Sequence, residues 1–186
     1  MKKTWIYVLV IVVVVIVLII ALSKSEAPKQ PEEEGVVPEE RTFKEEVPSV
    51  SLTEMTPDGG YQGWGELSIN KSVQGNSLKV GGVEHEKGLG THAQSSWKYT
   101  IPEGYNYFET SIGLDDGVIP GENLAVFVVK GDEKELYRSD PMKPGQAAVS
   151  VKVSVTGIQE IFLITEDGGD GVQGDVTDWL NPVLIP

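Results

Sequence analysis

Between Val50 and Pro186 apolar and polar residues alternate in short runs, the period-two pattern of β-strands. Val149, Val151, Val153 and Val155 alternate with Ser150, Lys152, Ser154 and Thr156, which predicts a strand with one buried face. Phe108, Thr110 and Ile112 are set against Tyr107, Glu109 and Ser111 in the same way. Trp97, Tyr99 and Ile101 predict a strand that leaves the glycine-rich turn Gly88-Leu-Gly-Thr-His92, with Trp97 in the core. The unbroken apolar runs 124–129 and 161–164 predict central strands covered on both faces. Shorter candidates lie at 66–69, 77–80, 135–138 and 183–185. Between them fall turn signals such as Pro57-Asp-Gly-Gly60, Gly81-Gly82, Gly131-Asp132 and Gly168-Gly169. No window of ten residues has a helical period. The expected fold is all-β, a sandwich or barrel over residues 50–186, long enough for one core.

A different pattern precedes it. Residues 5–22 carry no charge and are mostly Val, Ile and Leu. As a helix they would span about 27 Å, close to the hydrocarbon thickness of a bilayer. Lys2 and Lys3 stand before the run, so a transmembrane anchor would keep the N-terminus in the cytoplasm and the rest outside. The alternative is a signal peptide cut at Ala21-Leu22-Ser23, although its apolar region would be shorter. Residues 23–49 then read as a disordered, extended acidic stalk. Pro28, Pro31, Pro38 and Pro48 punctuate it, and Glu32-Glu33-Glu34 and Glu39-Glu40 load it with like charge. The expected organisation is an anchor or uncleaved signal at 1–22, a linker at 23–49 and a domain at 50–186. The domain would be held on the extracellular side of the cell membrane by a single pass.

Charge and composition narrow the function classes. All 28 acidic residues follow the apolar run, and with Lys2 and Lys3 set aside they face 13 basic ones, a net charge of −15. Nucleic acid is a poor partner for such a surface, because phosphate contacts need Lys and Arg. There is no cysteine, so no disulfide and no thiol nucleophile. His85 and His92 are the only histidines and supply at most half a zinc site. Asp115-Asp116 are adjacent, which on a strand sends them to opposite faces rather than across a glycosidase cleft. Non-catalytic function is therefore expected. Asp167, Asp170, Asp175 and Asp178 lie in a stretch rich in glycine and oxygen donors, and calcium is the ion such a stretch suits. Asn70-Lys71-Ser72 is a formal glycosylation sequon. Trp64, between Gly63 and Gly65, is placed for exposure and could stack on the apolar face of a sugar.

Several of these stretches share the order of one known family. Gly63-Trp64-Gly65, then Gly88-Leu-Gly-Thr-His92-Ala93, then Phe108 to Asp115-Asp116, and finally Asp175-Val-Thr-Asp178-Trp179-Leu-Asn181-Pro182, resemble carbohydrate-binding module family 51. Two places depart from its pattern: Val50-Ser-Leu-Thr53 at the start, and Val176-Thr177 where the family often has His-Ala. The resemblance implies a galactose-binding-like jelly-roll β-sandwich that recognises galactose and related glycans without catalysing anything. Apart from the resemblance, Trp64, His92, Asp115 and Asp116 fall at expected turns or strand ends, so the expected sugar site lies on loops at one end of the sandwich. Trp64 would stack there, and His92, Asp115 and Asp116 would bond hydroxyls. A glycan or cell-surface polysaccharide is the expected partner. The alternative is a structural or protein-interaction sandwich in a surface assembly.

Overall fold

The computed structural model describes residues 47–118 and 123–186. The expected anchor at 5–22 and the expected stalk up to residue 46 lie outside the described residues. Among the described residues no helix is long and apolar enough to cross a membrane. The last part of the expected linker is docked: the Tyr105 hydroxyl donates to the Pro48 carbonyl at 2.9 Å.

Thirteen strands form two antiparallel sheets and a hairpin. In chain order they are β1 (Val50–Ser51), β2 (Gly59–Gln62), β3 (Ser68–Ile69), β4 (Leu78–Val80), β5 (Val83–His85), β6 (Gly88–His92) and β7 (Ser95–Thr100). They continue as β8 (Tyr107–Leu114), β9 (Ala125–Gly131), β10 (Lys134–Arg138), β11 (Val149–Ser154), β12 (Glu160–Asp167) and β13 (Val176–Ile185). One sheet runs β11-β8-β13-β6-β3, with β1 also on β13; the other runs β10-β9-β12-β7-β2. Hairpin β4-β5 stands apart from both ladders.

The core lies between the sheets. Leu89, Phe108, Ile112 and Trp179 come from one, and Tyr99, Phe127, Ile161 and Leu163 from the other. Phe127 and Trp179 meet edge to face with centroids 5.2 Å apart, the arrangement ring quadrupoles favour. The alternation read in β8 and β11 is present: Phe108, Thr110, Ile112, Val151 and Val153 are buried, and Tyr107, Ser150, Lys152 and Ser154 are exposed.

Three readings change. Gly88–His92 is not a turn but the buried strand β6. Its glycines are there for space, since a Cβ on Gly90 would collide with the Lys71 carbonyl and come within 2.6 Å of Ser72 Cα. Trp97 is half-buried rather than core. It stands opposite Gly60 of the edge strand β2, and its ring lies over that glycine. Trp179 is the fully buried tryptophan. Finally, Ile161 and Leu163 are buried while Phe162 and Ile164 are only half-buried, so β12 is buried on one face. β9 keeps the expected two-sided burial from Ala125 to Val129.

Alternation also fixes which way β13 points at its start. Thr177 Oγ1 lies 2.8 Å from Thr91 Oγ1, which in turn reaches Thr165 of the opposite sheet at 3.4 Å. Thr177 and Trp179 therefore face inward. Asp178 and Leu180 face outward, and Leu180 packs with Leu78 and Val80 of the covering hairpin.

Candidate functional site

Two clefts open on either side of the segment that joins β2 to β3. The larger, about 550 Å³, is lined among others by Met55, Pro57, Leu67, Ile69 and Trp97. The second, about 460 Å³, is lined by Gly63, Trp64, Gln74, His92, Val172, Gln173, Gly174 and Val176. The second combines a free aromatic face with convergent polar groups, as a sugar requires. Trp64 is 52 % exposed. Its ring stands 5.2 Å from that of His92, centroid to centroid, with the planes 53° apart.

Each wall has a local cause. Gly65 has φ +71, and a Cβ there would lie 2.5 Å from Val73 Cγ2, so both backbone and space require glycine after Trp64. The Gly63 amide donates to the Gln94 carbonyl at 2.9 Å, and Gln62 Nε2 donates to the Trp64 carbonyl at 2.8 Å. The strand register sets Val176 opposite His92 and so carries residues 172–174 to the facing wall. His92 Nδ1 lies 2.5 Å from the Ala93 carbonyl oxygen. A carbonyl only accepts, so Nδ1 carries the proton, and in the neutral ring Nε2 is left as an acceptor.

The other two expected sugar contacts are not in this cleft. Asp115 is buried just past the end of β8. Its Oδ2 accepts from the Lys79 amide at 3.1 Å and its Oδ1 from the Gly117 amide at 2.8 Å. Asp116 accepts from the Gly81 and Gly82 amides at 3.0 and 2.7 Å, which holds the turn of hairpin β4-β5. All four oxygens thus fasten backbone. Gln74, Gln173 and Gly174 supply the polar lining instead, and nothing in their spacing had singled them out.

The four acids expected to cage calcium are not gathered at one point. Among the described residues no group of three or more His, Cys, Asp or Glu side chains could hold a metal. Asp167 Oδ1 accepts from the amides of Gly169, Asp170 and Gly171 at 2.8–3.1 Å. Those donors, Gly169 first, hold its carboxyl below the ordinary aspartate value. Asp170 Oδ1 accepts from the Leu124 amide at 3.3 Å. Asp175 is fully buried with no hydrogen-bond donor on either oxygen. Burial, and then the charges of Asp170 and Asp167, push it up to about 7.

Asp178 belongs to a different place. It lies on the outer face of β13, between Gly90 of β6 and Gly113 of β8, and neither neighbour has a side chain. The backbone of Lys71 and Ser72 lies over Gly90, and Val80 lies over Gly113, so the carboxyl is sealed from solvent. Neither oxygen meets a donor, and its polar neighbour is Asp115. Burial, and then that carboxylate, raise Asp178 to about 9. Ser72 Oγ is buried without a partner. Gln74 Oε1 and Asp115 Oδ1 both approach the point where a Gly117 Cβ would stand, at 3.2 and 2.7 Å. Asp178 and Asp115 are thus a pair of buried carboxyl groups, and no ion pair to either is present among the described residues. His85 and His92 lie on different strands and share no such group.

Comparison with known proteins places this geometry. Residues 48–185 match the family model of the NPCBM/NEW2 domain. A provisionally named endo-alpha-N-acetylgalactosaminidase of Renibacterium salmoninarum is 36 % identical over 130 residues, 66 % of this chain and 8 % of that protein. Alpha-1,3-galactosidase B of Akkermansia muciniphila is 31 % identical over 158 residues, 83 % of this chain and 19 % of that protein. The chain thus spans less than a fifth of the length of these curated relatives. Among solved structures, the CBM51 module of Clostridium perfringens GH95 in complex with methyl-galactose matches with a TM-score of 0.68 and 32 % identity. That match covers 74 % of this chain and 99 % of that one.

Proposed function

Since the chain belongs to the NPCBM/NEW2 domain family, we propose that its sandwich is a non-catalytic module that binds a galactose-configured sugar in the Trp64–His92 cleft. The half-exposed indole 5.2 Å from the His92 ring carries the reading. A pyranose has an apolar C–H face for the indole and hydroxyls at its rim. His92 Nε2 accepts from one hydroxyl, and the Gln74 and Gln173 amides both donate and accept. The likeness to a module solved with methyl-galactose favours galactose over other hexoses. The cleft is open, so affinity is weak, on the order of 0.1–1 mM. Titration with methyl galactoside should saturate in that range, with methyl glucoside binding more weakly. No saturation by any sugar on a glycan array would leave a protein partner as the reading of this surface.

Of the four acids expected to hold calcium, we propose the ion for Asp178 alone, beside the buried Asp115. Such an ion would neutralise a buried carboxylate pair that no ion pair offsets among the described residues. It would fasten residues 71–80 over β6 and β8 and thereby fix Gln74 in the cleft wall. Residues 5–22 are read as a retained anchor that presents the module outside the cell. The chain should then stay with membranes through an alkaline wash, and a secreted form beginning near Lys24 would overturn this.

A further inference from the structure

We infer that Gln62 is the positioning residue of the sugar site, holding the Trp64 ring at its angle to His92; this rests on the galactose reading above. Gln62 ends the edge strand β2, lines the larger cleft and immediately precedes Gly63 and Trp64 of the second. One amide group ties three elements. Its Oε1 accepts from the His92 amide of β6 at 3.2 Å and from Trp97 Nε1 of β7 at 3.4 Å. Its Nε2 donates to the Trp64 carbonyl at 2.8 Å. β6 and β7 belong to opposite sheets, so the Trp64 turn is referenced to both at once.

The side-chain type follows from this. The task needs an acceptor and a donor on one planar group, in fixed relation to each other. A carboxylate keeps the acceptor but sets an oxygen against the Trp64 carbonyl, and an aliphatic chain supplies neither. Besides this contact the turn is held by the Gly63–Gln94 hydrogen bond, made one residue before the tryptophan. Without Gln62 the indole gains rotational freedom that binding must remove, and affinity falls although the ring is still present.

The decisive variant is Gln62→Glu. At pH 7 it should bind methyl galactoside about tenfold more weakly than the wild-type chain, the scale of one lost hydrogen bond. Near pH 4 its carboxyl takes up a proton, donates to the Trp64 carbonyl again, and the deficit relative to wild type at the same pH should shrink to about twofold. Gln62→Leu should be weak at both values. A purely structural role would lower the melting temperature without this pH-dependent rescue. Equal affinity of Gln62→Glu and wild type at pH 7, or a deficit independent of pH, overturns the inference. A ligand-free readout separates the two proposals. In chains carrying 5-fluorotryptophan, the Trp64 fluorine resonance, assigned by its loss in Trp64→Phe, should shift in Gln62→Glu at pH 7 and return near pH 4. If wild type binds no sugar but the resonance moves so, the sugar reading fails and the positioning role stands. If the resonance does not move, the positioning role fails whatever the sugar result.

Discussion

Replacing Trp64 by alanine should weaken methyl galactoside binding at least tenfold, about 1.4 kcal/mol or more, and leave the melting curve of the chain in place. The ring is half-exposed and outside the core, and a surface side chain of that kind contributes within about 0.5 kcal/mol of nothing to folding. Its apolar face is nevertheless the one large surface in the cleft on which a pyranose can stack. Trp179→Ala is the contrasting variant. That side chain is fully buried and packs edge-on against Phe127, so its loss should cost roughly 3–5 kcal/mol of stability. Trp97→Ala should fall between them, because its ring covers Gly60 at the sheet edge and is only half-buried. Isothermal titration and thermal melts on the three variants check the ordering. If Trp64→Ala melts as early as Trp179→Ala, the ring is structural; if it binds as the wild type does, the sugar sits elsewhere.

The three tryptophans also show what a sequence reveals and what it hides. The Gly63-Trp64-Gly65 context marked an exposed ring because flanking glycines have no side chains to cover it. Nothing local separated Trp97 from Trp179, since both have mostly polar immediate neighbours, Ser96 and Lys98 for the one and Asp178 and Leu180 for the other. What separates them is the position of the strand in its sheet. β7 is next to the edge strand β2, while β13 is flanked by β6 and β8. Sheet order depends on pairings between distant segments, such as Thr91 with Thr177, 86 residues apart, and no window along the chain contains them. The strands of strict alternation, β8 and β11, were legible because period two is itself the physical cause of one-sided burial. β6 was hidden because Gly90 answers a contact with Lys71 and Ser72, and Gly88 one with Trp179 and Leu78, whereas glycine pairs in a sequence ordinarily signal turns.

The acids and amides of the site were harder to read for a chemical reason. An aspartate at a strand end can aim its oxygens at a ligand hydroxyl or at its own backbone amides with the same residue type and spacing. Asp115 and Asp116 do the second and fasten the hairpin over β13. Gln62, Gln74 and Gln173 come from three separate segments, and glutamine carries no periodic or spacing signal. Their convergence is a property of the fold. His92 was recognisable because it closes the Gly88-Leu-Gly-Thr-His92-Ala93 stretch that carries the family resemblance and was expected at a turn, where side chains can converge.

Adding calcium at neutral pH should raise the melting temperature, and a chelator should lower it, with the response lost in Asp178→Asn. Asp178 and Asp115 are both buried, and no Lys, Arg or His lies in an ion pair with either among the described residues. A buried carboxylate pair is costly unless a proton or a cation offsets its charge. The raised value of Asp178, about 9, is that of a carboxyl which keeps its proton at neutral pH when no cation is bound. A calcium ion at hundredfold excess over its dissociation constant would stabilise the native state by about 2.7 kcal/mol. For a domain of this size that is a rise of roughly 5–10 °C. Asn at 178 keeps the shape and one oxygen but removes the charge that draws the ion, so its melt should ignore calcium and chelator alike. The cleft should feel the same change, because residues 71–80 carry Gln74. Chelation should therefore weaken methyl galactoside binding in the wild-type chain and leave Asp178→Asn unaffected. Superimposable wild-type melts with calcium and with chelator would remove the ion from this site.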